Sequence, residues 1–227
     1  MKKKDRVFQG AASAFLLFLG VLCYNHFNVR EYSEVFREAA AEPAPKVALT
    51  FDDGPDPVYT PKLLDGLKER KVHVTFFLIG KKLEGQEDLV RRIQQEGHLI
   101  GNHTYSHVDL SKLSESQAKE EIEKTSNSIY EITGEYPTYV RPPFGEWQEE
   151  LEFEVTMLPI LWNIDPIDWQ RSDVEGIVRD VEKKVADGSI ILLHDCYDSS
   201  VEAALRIVDD LLEQGYQFVT ADQMILE

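Results

Sequence analysis

Asp52 and Asp53 stand side by side where the apolar run Val47-Ala48-Leu49-Thr50-Phe51 breaks at Gly54-Pro55. The run reads as a buried strand, and Gly-Pro turns the chain at its end. A carboxylate is rarely buried without a partner. The pair is therefore either a solvated turn or half of a site whose other half lies elsewhere. His103 and His107, in His-Thr-Tyr-Ser-His, are the next pair able to do chemistry. If that segment takes a helical turn, both imidazoles share one face and can hold one metal ion. Alone, such a pair is common on protein surfaces. Joined by a carboxylate, it becomes a set of two imidazoles and one carboxylate with open positions for water. His26, His73 and His98 have no such company and read as structural or incidental.

Further polar clusters follow other apolar runs. Arg141-Pro142-Pro143-Phe144-Gly145 fixes the backbone rigidly, which suits holding a guanidinium or aiming the Phe144 amide; the plain alternative is a strand exit with a surface arginine. Trp162-Asn163-Ile164-Asp165-Pro166-Ile167-Asp168-Trp169 carries aromatics that could line a groove or simply pack. Ile190-Ile191-Leu192-Leu193 delivers His194-Asp195.

These clusters need a scaffold that brings strand ends together. Strand-like runs occur at 46–51, 73–79, 97–102, 138–141, 159–164, 189–193 and 217–220, with amphipathic helical patterns between them. Thr60 before Pro61, Ser114 with Gln117, and Ser199 with Glu202 read as helix starts; Gly134 and Gly215 read as stops. Strands alternating with helices imply an α/β fold with a parallel sheet, open or closed into a barrel. In such folds functional groups gather beyond the C-terminal strand ends, where all five clusters fall.

The chain of 227 residues, 43% hydrophobic, is long enough for one domain with an appendage. A formal charge of -17, with no basic stripe beyond the first six residues, argues against a nucleic-acid partner. Cys23 and Cys196 are too few for a disulfide scaffold or a thiolate zinc site. Lys2, Lys3, Lys4 and Arg6 precede an apolar run from Phe8 to Tyr24. That pattern predicts a cytoplasmic basic segment (1–7), a single-pass signal-anchor (8–24) and a linker (25–45), with the domain at 46–227 outside the cytoplasm. No small-x-small cleavage site follows the run directly, so an uncleaved anchor is the reading, with secretion after cleavage as the alternative.

In this order, TFDDGP (50–55), HTYSH (103–107), RPPFG (141–145), DPIDW (165–169) and LLHD (192–195) resemble the five motifs of the polysaccharide deacetylases, the NodB-homology fold of carbohydrate esterase family four. The resemblance implies a distorted (β/α) barrel of about seven parallel strands. It implies Asp53, His103 and His107 as ligands of a divalent metal, zinc foremost, with cobalt or another divalent ion also compatible. Asp52 resembles the general base toward the attacking water, and Arg141 the arginine that orients it. His194 resembles the general acid for the leaving amine, with Asp168 as its carboxylate partner. Trp169 and Leu192 resemble the slot for the acetyl methyl, and the Phe144 amide an oxyanion donor.

The implied reaction is hydrolytic N-deacetylation of N-acetylated amino sugars in a polysaccharide, such as peptidoglycan or a chitin-like glycan. The implied partners are an acetylated glycan and, through the anchor, a membrane, with a monomeric catalytic domain. Rival readings are an O-acetyl esterase of the xylan type, another amidase on the same scaffold, or a non-catalytic glycan-binding envelope protein. Two departures bear on the substrate groove rather than the chemistry. Phe144 stands where the family often has Tyr, and the acidic stretch from Gly145 to Pro159 predicts a short or irregular helix.

Overall fold

β1 (Lys46–Gly54) is the longest strand and the centre of the sheet. Its side chains are buried on both faces nearly throughout, as a parallel strand covered on two sides requires. A computed structural model describes residues 43–147 and 157–225. The expected basic segment, anchor and nearly all of the linker lie outside the described residues, as does most of the 145–159 stretch. Among the described residues no helix is long and apolar enough to cross a membrane.

β2 (Thr75–Leu78), β3 (Leu99–Asn102), β4 (Tyr139–Val140) and β5 (Leu158–Pro159) follow outward from one side of β1. β6 (Ser189–His194) lies on its other side, and β7 (Gln217–Phe218) pairs with the start of β1. All pairings are parallel. The expected fifth strand is shorter than the 159–164 run suggests: Leu158–Pro159 pairs with β4, and only Ile164 bridges to Ile191 of β6. The run therefore meets both outer edges. Ile160 N donates to Val140 O on one side, and Leu192 N to Ile164 O on the other. The sheet curls into a distorted half-barrel whose mouth lies at the C-terminal strand ends.

Helices α1 (Tyr59–Arg70), α2 (Glu87–Gln95), α3 (Glu115–Thr133), α4 (Val174–Glu182), α5 (Asp198–Glu213) and α6 (Ala221–Ile225) cross between the strands. The main core joins Leu63, Leu64 and Leu67 of α1 to Phe51, Phe76 and Ile191 of the sheet and to Val201, Ala204 and Val208 of α5. Each fully buried leucine or phenylalanine contributes on the order of 2 kcal/mol. Phe51 and Phe76 stack across the β1–β2 pair at 5.4 Å.

The capping box at Ser114 and Gln117 forms as expected, and Gly134 ends α3 in the left-handed region. The other two expected starts are corrected. Thr60 lies inside α1; the Asp56 carboxylate accepts the Val58 and Tyr59 amides instead, and the Thr60 hydroxyl is engaged by Asp195 and the Asp56 amide. α5 begins at Asp198 after Tyr197, so Ser199 is already helical and caps nothing.

Candidate active site

The end of β1 does not run straight. Asp52 pairs with Phe77 and Gly54 with Leu78, so Asp53 is left between them as a bulge. Its φ of 71° rotates the backbone locally, and Gly54 then resumes the parallel pairing. Side chains that would point to opposite faces of a regular strand here reach one cavity. Gly54 is required at the turn, since a Cβ there would lie 2.8 Å from both carboxylate oxygens of buried Asp195.

His103 and His107 reach the same place, but not by the helical turn expected of HTYSH. Residues 103–107 form a loop, with Thr104 and His107 at φ 61° and 58°. Buried Asn102 organises it: its amide donates to Ile122 O and Ser126 Oγ of α3, and its carbonyl oxygen accepts the Thr104 amide. Glu121 of α3 accepts both the amide and the hydroxyl of Ser106, each at 2.7 Å. The two imidazoles meet edge to face, 4.9 Å between centroids.

The three groups converge on one point. His107 Nε2 lies 3.2 Å and His103 Nε2 3.4 Å from Asp53 Oδ1, and ligand atoms from all three fall within 4.8 Å of one another. His103 Nδ1 is 2.6 Å from Arg141 O, an oxygen that can only accept, so Nδ1 carries a proton and Nε2 is the nitrogen that can offer a lone pair to a metal. Asp53 Oδ1 is buried with no hydrogen-bond partner. Lone pairs facing one another around a buried carboxylate oxygen fit a divalent cation bound by two imidazoles and a carboxylate. Burial alone would raise the Asp53 carboxyl pKa; contact with His103 and the nearness of the His107 and His194 imidazoles outweigh it and hold the group well below the usual range. Burial lowers the His107 pKa against the opposing pull of Asp53, which favours the neutral form that a ligand needs.

Asp52 faces the same cavity with a different environment. Arg141 is wholly buried, and its Nη1 donates to Asp52 Oδ1 at 2.8 Å and to the Thr50 hydroxyl at 2.6 Å. Nε and Nη2 donate to Ile160 O and Leu161 O, and the guanidinium lies 4.2 Å over the Phe77 ring. Burial pulls the arginine's pKa down and the Asp52 charge opposes it; a guanidinium remains charged throughout. The surface-arginine alternative is therefore excluded. Asp52 Oδ2 lies 3.7 Å from His103 Nε2.

Across the cavity, His194 ends β6. Asp168, buried on a short turn, accepts the His194 amide through Oδ2 and lies 2.8 Å from Nδ1 through Oδ1. Burial would lower the imidazole's pKa; the Asp168 hydrogen bond and charge, with Asp52 and Asp53, push it up to about 9. Asp195 faces the other way, bonded to Thr60.

Asp52, Asp53, His103, His107, His194, Phe144, Trp169 and Leu192 all line one cavity of about 300 Å³. Phe144 meets His107 edge to face at 5.2 Å, with its own backbone at φ 62°. Trp169 is half exposed at the rim while Leu192 is nearly buried at the wall. Trp162, Asp165 and Tyr197 complete the lining. Of these, sequence reasoning missed Tyr197, which carries no motif signal beyond closeness to His194. It also missed Thr50, whose hydroxyl links Arg141 to Ile191 O; a threonine in an otherwise apolar buried strand was the available sign. His98 is buried at the start of β3, its Nδ1 accepting the Val74 amide, which fits the structural reading given to it.

Comparison with known proteins gives a consistent answer. Residues 39–160 match the family model described as polysaccharide deacetylase. The chain is 42% identical over 189 residues to peptidoglycan-N-acetylmuramic acid deacetylase PdaC of Bacillus subtilis (strain 168), covering 83% of this chain but 40% of that protein. The solved structure of that peptidoglycan deacetylase superposes with a TM-score of 0.77 at 41% identity, over 80% of this chain and 90% of the solved one. A peptidoglycan-N-acetylglucosamine deacetylase of Bacillus cereus is 40% identical over 79% of this chain and 68% of its own length. A pseudoenzyme of carbohydrate esterase family four from Bacillus anthracis also shares the fold, with a TM-score of 0.73 at 27% identity, over 81% of this chain and 66% of its own. The fold alone therefore does not decide activity; the residues in the cavity must.

Proposed function

The chain belongs to the polysaccharide deacetylase family, and from that premise we propose that it is a metal-dependent hydrolase removing acetyl groups from N-acetylated amino sugars of a glycan, with peptidoglycan as substrate. The observation that carries the reading is the convergence of Asp53, His103 and His107 on one buried, unpartnered carboxylate oxygen, with Asp52 and His194 lining the same cavity. The substrate assignment is supported by the relatives, both named as peptidoglycan deacetylases.

Asp53, His103 and His107 would hold a divalent ion, zinc foremost. Such an ion supplies polarisation of the acetyl carbonyl and a lowered pKa for the attacking water. Asp52, aimed by its hydrogen bond from Arg141, would accept the water's proton. The Phe144 amide would bind the oxygen that gains negative charge. His194, held as imidazolium by Asp168, gives its proton to the departing nitrogen. The products balance as acetate and a free amine. Leu192 and Trp169 would enclose the acetyl methyl and exclude water around it.

The N-terminal basic and apolar segments extend the proposal to a membrane-anchored protein with its domain outside the cytoplasm. Acetate release from peptidoglycan strands, N-acetylglucosamine oligomers and acetylated xylan, measured side by side, tests the substrate. Release from xylan alone would replace the amidase reading with the esterase one. Release from none of them, with metal bound, would place the chain beside the family's pseudoenzyme.

A further inference from the structure

The bulge that presents Asp53 is held from behind. The Asp53 carbonyl has left the β1–β2 ladder, and Lys82 Nζ donates to it at 2.7 Å. The Cys196 thiol lies 3.4 Å from the same oxygen, and Lys82 Nζ lies 3.6 Å from Cys196 Sγ. Lys82 closes the short 3-10 turn Gly80–Lys82. The amides of Gly80 and Lys81 in that turn donate to Thr104 O and Tyr105 O, in the loop between His103 and His107. One turn of chain thus grips both the backbone of Asp53 and the loop bearing the histidines.

A left-handed conformation is uncommon for a residue other than glycine and persists where its surroundings hold it. At Asp53 the φ of 71° decides which way the carboxylate points. The carbonyl is one fixed end of that conformation, and a partly buried ammonium is a stronger donor to it than a neutral group. Neither Lys82 nor Cys196 falls within the motif stretches at 50–55, 103–107, 141–145, 165–169 and 192–195.

We propose that Lys82 is a positioning residue for the metal centre, pinning the Asp53 carbonyl so that the bulge turns the carboxylate toward His103 and His107, with the Cys196 thiol as a weaker second donor. The inference rests on the reading of Asp53, His103 and His107 as metal ligands. Lys82 touches neither substrate nor ion in this arrangement. Its effect is on ligand geometry.

Lys82→Met in the full chain keeps the stem and removes the donor. Its zinc dissociation constant, measured by competition with a chromophoric chelator, is expected to rise about 10- to 100-fold, the range for losing an outer partner of a metal ligand. The visible spectrum of the cobalt-substituted variant should shift, and kcat should fall with KM for the glycan unchanged. Lys82→Arg, which keeps charge and donors, should restore the parent spectrum. A folded Lys82→Met with parental zinc affinity and cobalt spectrum would overturn the proposal. If Lys82→Met does not fold, Lys82→Gln and Cys196→Ala carry the test, and unchanged zinc affinity in both would overturn it equally. Metal affinity and the cobalt spectrum do not depend on the glycan, so failure here and failure of the deacetylase reading are separate results.

Discussion

Asp168 grips His194 at two points: one carboxylate oxygen accepts the backbone amide, and the other lies 2.8 Å from Nδ1. A carboxylate can only accept, so Nδ1 carries a proton and Nε2 is the end free to exchange one with a ligand in the cavity. Asp168 is buried, so its charge acts through little solvent.

The first prediction concerns pH. The folded pKa of His194 is raised, to about 9, so the imidazolium is favoured and a general acid there works until pH passes that value. A divalent ion in the same cavity would lower it, placing the alkaline limb of kcat/KM below about 9. Asp168→Asn keeps the shape and removes the charge, and should move that limb down by about 1–3 units with metal content unchanged. The stability sign follows from the same shift: the pair's contribution is full below the unfolded pKa of 6.5 and is lost as pH rises through about 9. A limb that moves in Asp195→Asn and not in Asp168→Asn would reverse the assignment.

The adjacent aspartates should separate cleanly. Asp52→Asn is expected to keep the metal and lose roughly 10²- to 10⁴-fold in kcat, the range for a general base. Asp53→Asn should weaken metal binding itself. Elemental analysis decides, and equal metal loss in both would refute the division of roles.

Much of this was legible because strand ends are punctuated in sequence. Gly54-Pro55, Pro142-Pro143 and the polar residues after Leu193 mark where apolar runs stop, and parallel α/β folds collect those stops at one mouth. The topology therefore predicts that Asp53, His103 and His107 are neighbours before any distance is measured. What the sequence hides is the backbone path. Asp53, Thr104, His107, Phe144 and Ile167 all take positive φ without being glycine; aspartate and histidine tolerate this better than most, but at Thr104, Phe144 and Ile167 local propensity runs against it. Side-chain bonds meet the backbone at two of these places: Lys82 Nζ donates to Asp53 O from a distant turn, and Asn102 Oδ1 accepts the Thr104 amide within the same loop. The misplaced helix start at Thr60 has a tertiary cause, since the Thr60 hydroxyl is taken by Asp195, far along the chain.

Asp195 should act on stability and not on the pH–rate profile. Burial pushes its carboxyl up to about 7, against the opposing bond from Thr60 and charge of Lys82. The folded state then holds a proton that the unfolded state releases, so this group lowers stability as pH rises from about 4 to about 7. Asp195→Asn removes the charge and should flatten that slope, worth at most about 4 kcal/mol. Chemical denaturation of both proteins at pH 5 and pH 8 measures it; a slope unchanged in the variant would show that another group is responsible.

The anchor predicted for residues 8–24 gives a simple fractionation experiment. Full-length protein should sediment with membranes and withstand high-salt washing, with its domain open to external protease in spheroplasts. A soluble mature form beginning near Glu42 would instead show cleavage and secretion.

The central claim is that one divalent ion at Asp53, His103 and His107 makes this chain a deacetylase. Its most direct test is a titration of zinc into metal-stripped full-length protein, with acetate release from peptidoglycan strands followed at each addition. The account predicts no release without metal, a linear rise, and saturation at one equivalent, with His103→Ala silent across the range. Acetate release that persists after complete metal removal would contradict it, as would a chain that binds one zinc and releases no acetate.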